Sequence, residues 1–572
     1  MRAAAWIAVA LTALGSAAGA APTLPLTIDY ALTPIVEGGT VKTLDVELRF
    51  RGDGRRSLTL DLPDSGMGED KRWRFLSDFS TTGATMRAPD PAHRILSFAP
   101  GAQVTLRYAV HSAYDGDPKG GGNPYRGAVL RPGWFATMGE YIFAVPHDVD
   151  LWPARFHWGL LPKDWKVASD LEHGAMGRAM NVDDIVESTI LGGADVAVYS
   201  RPIPGGTLRF AMRGKYPFSG DHLADVLGRT LAAQRTFWGG DMKGPFLVTL
   251  FPIDGTASTG GTGRVDGFAM YDTPDTPESS IRRTIAHEHT HSWIPSRIGR
   301  MPAEATQPLV YWLSEGFTDF YAERTLLKSG IWSLEDYVGD LNDILLAYDT
   351  SPARNAPNAR IEKEFWTNDA VEHLPYQRGL LFAYLLDDRI RKASAGTRNL
   401  DTVMFAMRDA FVAAPDAAKP ELVENFRRAF GQTGVDFSAE TTSLIDQGDT
   451  EVLPADLFGE CAQIRNIRIA VFDKGFDTGK TSATGIFTGV DPAGPAYAAG
   501  IRDGMRRIAY LAGEQGDSRV DWSYRVADAT GHEFVATYKP AGKEQVDVQE
   551  VVLTPGLNPA QRAACVRTMS GG

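Results

Sequence analysis

The stretch Arg282–Gly299, RRTIAHEHTHSWIPSRIG, decides how the chain is read. It places His287, Glu288, His289 and His291 within five positions of a 572-residue chain that holds 11 histidines. His287 and His291 are four apart, so on an α-helix they stand one turn above each other on one face and can reach a single ion. Glu288 follows the first of them and projects to the side, where a carboxylate can take a proton from water without binding the ion. This is the H-E-x-x-H spacing, in which two zinc-ligating imidazoles accompany a general base. The segment PESSIRRTIAHEHTHSW predicts the helix this needs, with Pro277 and Ser279 near its start and Ile281, Ile285 and Trp293 as apolar partners. His289 is expected to point away from the pair, as a surface residue or one that backs the ligands.

A third ligand is expected in VYWLSEGFTDFYAERTLL, where Glu315 begins a second helical pattern beyond the loop IPSRIGRMPAEATQP. Two histidines and a glutamate leave the fourth position of zinc open for water, as catalytic sites do, whereas structural sites close it, usually with cysteine. Neither Cys461 nor Cys565 is near. Asp319 lies four residues past Glu315 on the same helical face. It is either an orienting partner for a ligand histidine or a solvated surface residue.

Composition sets the frame. A chain of this length exceeds one hydrophobic core, so several domains are expected. With 43% apolar and 23% charged residues it is globular in character, and a formal charge of -13 argues against nucleic acid or anionic lipid as a partner. Residues 1–20 carry Arg2, an apolar run from Ala3 to Leu14 and Ala18-Gly19-Ala20, which predicts a secretory signal cleaved after Ala20, a periplasmic or secreted protein, and no membrane span after cleavage. An even pair of cysteines in an exported chain makes a Cys461–Cys565 disulfide a candidate, with two free thiols as the other possibility.

Alternating apolar residues in TLDVELRF, SLTLDLP, QVTLRYAV and EYIFAVP predict strands, so residues 21–215 are read as an amino-terminal β domain. From 216 to 455 the period becomes helical, in HLADVLGRTLAAQRTFW and NLDTVMFAMRDAFVA among others, with Ser333 and Asp336 spaced as a capping box. Residues 456–572 return to short strands.

AHEHTHSW followed by YWLSEGFTDFYAERTLLKSGIWSLEDY resembles the glycyl aminopeptidase family of zinc metallopeptidases, relatives of the broader gluzincin aminopeptidases. The likeness continues through LPYQRGLLFAYLLDDRIRKASAGTRNLDTVM. GPAYAAGIRDGMRRI, with Gly500 and Gly504, resembles bacterial PDZ domains, although Met505 stands where an acidic residue is usual. The resemblance implies a multidomain α+β fold: a β-sandwich-like amino-terminal domain, a thermolysin-like, mainly helical catalytic domain and a PDZ-like carboxy-terminal domain. It implies Zn²⁺, a peptide substrate, a peptide or polypeptide terminus in the PDZ groove, and a role for Tyr376 of LPYQRG in stabilising the tetrahedral intermediate. The family's Gly-Gly-x-Glu segment, whose Glu holds the substrate's amine, corresponds to STGGTGRVDGFAMYD. There Gly263 replaces the Glu and Arg264 follows, leaving Asp266 or Asp272 as substitutes. The reading is therefore an aminopeptidase-like metallopeptidase. Its alternatives are an endopeptidase or other zinc hydrolase lacking the amine anchor, and a non-catalytic PDZ peptide-binding protein.

Overall fold

The computed structural model describes residues 25–65, 69–119, 127–147, 151–176, 179–239, 242–255, 258–264 and 266–571. The signal reading over residues 1–20 lies outside the described residues. The architecture is α+β, with several sheets in the amino-terminal half and a helical body after them.

In the strand Thr40–Arg51, Val46, Leu48 and Phe50 face inward while the residues between them face out, as the alternation predicts. It lies in a six-stranded sheet between Ile28–Glu37 and Gln103–Val110. A second, four-stranded sheet holds Ser57–Asp61 between His93–Ser97 and the two-residue strand Val145–Pro146. A third contains Trp134–Met138 and Thr189–Gly193.

EYIFAVP corrects the strand reading. Only Val145–Pro146 is strand, and Gly139–Tyr141 is a 3₁₀ turn. Tyr141, Ile142, Phe143 and Ala144 are buried in succession, which no half-buried strand allows. Their backbone finds hydrogen bonds outside any ladder: Tyr108 donates its hydroxyl to the Ile142 carbonyl at 2.7 Å and accepts from the Ala144 N–H at 2.8 Å. Tyr30 donates to the Ala144 carbonyl at 3.1 Å. Two tyrosine hydroxyls thus satisfy buried peptide groups that sheet neighbours would otherwise have to serve.

The next sheet has five strands in the order Ala197–Ile203, Gly206–Met212, Phe246–Pro252, Gly267–Asp272, Thr259–Arg264, so it joins chain from both sides of residue 215. The helices Gly220–Trp238 and Glu278–Thr290 pack on it through Leu223, Leu227, Leu231, Ile281 and Ile285. Thr259–Arg264 forms its edge.

The helical body surrounds Gly316–Lys328, which is buried on nearly every side. It crosses the helix Leu374–Ala393 at a pair of glycines. A Cβ on Gly316 would come within 2.4 Å of the Gly379 Cα, and one on Gly379 within 2.0 Å of the Trp312 carbonyl oxygen. Backbone meets backbone there, so neither helix can yield as a side chain would. Gly379→Ala is expected to cost about 3 kcal/mol through overpacking, seen as a lower midpoint in thermal unfolding.

The capping box at Ser333 and Asp336 is formed. The strand Ala462–Phe472 pairs with Ala541–Leu553, and Arg506–Ala512, Trp522–Ala527 and Glu533–Tyr538 make a three-stranded sheet. Cys461 and Cys565 are disulfide-bonded, with Cα atoms 5.3 Å apart, tying the base of this unit to the helix Pro559–Met569. Asn342 clasps the edge at Val551, donating to its carbonyl at 3.0 Å and accepting from its N–H at 2.7 Å. Cys461, Ile464, Val551 and Met569 belong to the same apolar core as the helical body. Among the described residues no helix is long and apolar enough to cross a membrane.

Candidate metal centre

Two helices face each other in matched steps of four. Glu278–Thr290 carries Arg283 and His287, with His291 as its C-cap; Gly316–Lys328 carries Asp319 and Glu323, with Glu315 as its N-cap. The rungs run in opposite order. Arg283 pairs with Glu323 at 3.1 Å and with Asp319 at 3.3 Å, His287 Nδ1 meets Asp319 at 2.8 Å, and His291 meets Glu315 at 3.3 Å. The helix containing Asp319 and Glu323 is buried, so those carboxylates need the partners that the first helix supplies.

The ring hydrogen bonds select the tautomers. His287 donates Nδ1–H to Asp319, and His291 donates Nδ1–H to the Ile294 carbonyl at 2.7 Å, an oxygen that can only accept. With both rings uncharged, each Nε2 keeps its lone pair, and the two face one another at 3.1 Å. Each lies 3.3 Å from Glu315 Oε2. Two bare nitrogens and an ionised oxygen at such range repel unless a cation lies among them. Four-coordinate zinc at about 2.0–2.1 Å from its ligands separates them by about 3.3–3.4 Å, so the three donor atoms fit.

Charge points the same way. Burial opposes a protonated His287, yet the Asp319 and Glu315 carboxylates overcome it and push its pKa up to about 10. Burial likewise opposes ionisation of Glu315, and the two imidazoles more than reverse this, holding it far below the usual carboxylate range. The cluster favours positive charge at its centre. Asp319 is thus the orienting partner and not a solvated residue. Asp319→Asn, which weakens the hold on the His287 ring, is expected to lower zinc affinity about 10–100-fold in a competitive chelator titration.

Glu288 and Tyr376 join the three donors in a cleft of about 710 Å³, roofed by Gly261–Arg264 of the edge strand. The Glu288 carboxylate approaches that strand so closely that a Cβ on Gly263 would lie 3.2 Å from Oε2. Burial raises the Glu288 pKa above its ordinary value, with the histidines opposing. Tyr376, near the start of Leu374–Ala393, sets its ring 6.0 Å from that of His287, centroid to centroid. Burial, then the nearby Glu315, holds its phenol well above the usual value, so it remains an O–H donor.

Two expectations change. His289 is neither a surface residue nor a backing group: it is 1% exposed, bonds Gln234 Oε1 through Nδ1 at 2.6 Å and sits edge-on to Phe246 and Trp293. Helical geometry turns position 289 toward the core, and burial holds its pKa well below the ordinary value. Neither Asp266 nor Asp272 lines the cleft. Asp272 is fully buried, with burial raising it to about 7. Besides Glu288 and Glu315, the acidic residue that lines the cleft is Glu187, just past the short helix Val182–Val186. It pairs with Arg264 at 2.9 Å, and Glu140 binds the same guanidinium, so two carboxylates surround Arg264.

Residues 280–368 match the family model described as M61 glycyl aminopeptidase. No curated protein matches the chain. Among solved structures, an aminopeptidase N family protein from Idiomarina loihiensis is similar in fold, at 16% identity and a TM-score of 0.67, over 94% of this chain and 100% of that one. An M1 zinc metallopeptidase from Deinococcus radiodurans aligns at 17% identity and a TM-score of 0.44, over 75% of this chain and 95% of that one. With the His287–His291–Glu315 cluster, the family match and the fold support a zinc metallopeptidase of aminopeptidase-like kind.

Proposed function

We propose that the protein is an exported zinc-dependent metallopeptidase that removes residues from the amino terminus of peptides. The observation that carries this is the convergence of His287 Nε2, His291 Nε2 and Glu315 Oε2 in a cleft that also holds Glu288 and Tyr376 beneath an open sheet edge. Zinc bound by those three groups supplies a Lewis acid that polarises a carbonyl and lowers the pKa of water. Glu288 accepts the proton of the attacking water as its oxygen bonds to the carbonyl carbon, and returns that proton to the amine nitrogen as the C–N bond breaks. The Tyr376 hydroxyl donates a hydrogen bond to the carbonyl oxygen as it gains charge. The edge strand Thr259–Arg264 offers backbone groups to an extended substrate.

The amine contact moves from position 263 to the carboxylates beside it. Glu140 and Glu187 outnumber Arg264 by one charge, so the arginine does not turn the cleft against an ammonium group. Glu187→Gln is expected to raise KM about tenfold for a peptide with a free amino terminus, as loss of a charge-assisted hydrogen bond does. The test is product analysis on matched free and N-acetylated peptides, with and without chelator. Stepwise release from the free amino terminus alone supports the reading. Internal cleavage of both peptides assigns the activity to an endopeptidase, the outcome that Gly263 in place of a glutamate favours, and no cleavage of either leaves a peptide-binding protein.

We read residues 21–215, 216–455 and 456–572 as the β, thermolysin-like and PDZ-like domains, with 1–20 a signal directing the chain to the periplasm or beyond. For the last domain the support is the positive φ at Gly500 and Gly504, 93° and 85°, in turns beside a three-stranded sheet. A peptide or polypeptide terminus would be its ligand.

A further inference from the structure

A second group of metal-binding side chains lies on the amino-terminal four-stranded sheet, away from the helical centre. Asp61 ends the strand Ser57–Asp61 and stands directly opposite His93 on one neighbouring strand and Val145 on the other. His147, two residues past Val145, returns to the same face, its N–H bonded to the Thr59 carbonyl at 3.1 Å. Two adjacent strands and the residue that follows a third thus present one side chain each to a common point. His147 Nδ1 is 2.9 Å from both Asp61 oxygens and His93 Nε2 is 3.4 Å from Asp61 Oδ1; the rings stand nearly perpendicular, 5.9 Å apart. One donor atom from each residue lies within 4.8 Å of the others.

His93 is prepared as the catalytic histidines are. Its Nδ1 meets Asp90 Oδ1 at 2.7 Å, and that oxygen also accepts the backbone N–H groups of Ala92 and His93 at 2.9 and 3.0 Å. A carboxylate fixed in this way accepts a hydrogen bond from Nδ1–H and leaves Nε2 of the uncharged ring with its lone pair directed at Asp61, the carboxylate–histidine arrangement that orients metal ligands.

We propose that Asp61, His93 and His147 form a second divalent metal site, of the class with two imidazoles and one carboxylate that takes zinc and similar borderline ions. Its residues are partly exposed, so water completes the coordination and the ion binds more weakly than at the buried centre. The site clips the segment at His147 to the sheet, where Val145–Pro146 contributes only two ladder positions.

The test is a zinc titration of the chelator-treated full-length protein, with bound metal counted by elemental analysis after dialysis. The unaltered protein is expected to bind two equivalents and the His93→Gln/His147→Gln variant one, with peptide hydrolysis retained. A Glu315→Gln variant separates the sites: it retains the sheet-bound equivalent whatever becomes of the catalytic reading. Equal stoichiometry in the unaltered and His93→Gln/His147→Gln proteins overturns the proposal. Should the double variant not fold, the unaltered protein decides: zinc is expected to protect His93 and His147 from diethylpyrocarbonate, read by peptide mass spectrometry. Undiminished modification of both also overturns it.

Discussion

Glu288→Gln is expected to keep one equivalent of zinc at the helical centre while lowering kcat by about 10²–10⁴-fold, the range that general acid–base catalysis commonly contributes. The substitution changes almost nothing but proton affinity. The amide has the shape of the carboxylate and fills the same space under Gly263, so the approach of the edge strand is preserved. Glu288 takes no rung in the helix-to-helix ladder, and the hydrogen bonds that fix His287 and His291 come from Asp319 and the Ile294 carbonyl. Metal content and thermal stability should therefore stay level while turnover falls. Elemental analysis alongside steady-state kinetics makes the check. A variant with ordinary turnover would remove Glu288 from the chemistry, and one that had also shed its zinc would show that the residue supports the site by some other route.

The clustering of His287, His291 and Glu315 was legible in the sequence because helical spacing alone puts His287 and His291 on one face, and a second helix beginning at Glu315 follows a loop. The ladder is legible there too. Arg283 precedes His287 by the same four residues that separate Asp319 from Glu323, so opposing steps of four announce a charged seam between antiparallel helices. Such a seam makes Asp319 a buried partner and Arg283 its counter-charge. The burial of His289 is not legible locally, because its surroundings come from Phe246 and Gln234, distant in sequence and brought in by the sheet and the helix Gly220–Trp238. Glu187 could not be found by local pattern: its place in the cleft depends on how the amino-terminal sheets sit beside the edge strand. EYIFAVP shows the limit of periodicity, since its alternation of types concealed four consecutive buried residues whose peptide groups are served by Tyr30 and Tyr108.

Glu315→Gln tests the centre from the opposite side, and the expected loss reaches the metal itself. Glu315 Oε2 is the one anionic donor among the three, equidistant at 3.3 Å from both imidazole nitrogens. An amide in its place preserves shape and removes the charge that draws a divalent ion between two uncharged rings. Replacing an outer partner costs about 10–100-fold in metal affinity, and a direct donor should cost more, so the variant is expected to lose zinc on dialysis and hydrolysis with it. The fold should survive. Removing one carboxylate relieves part of the negative charge concentrated between Glu315 and Asp319, and the Arg283 contacts with Asp319 and Glu323 still close the seam below. Zinc loss with an intact thermal transition is the expected pair of results. Tight zinc and full activity in the variant would mean that the ion is held without residue 315, and the three-donor centre would fall.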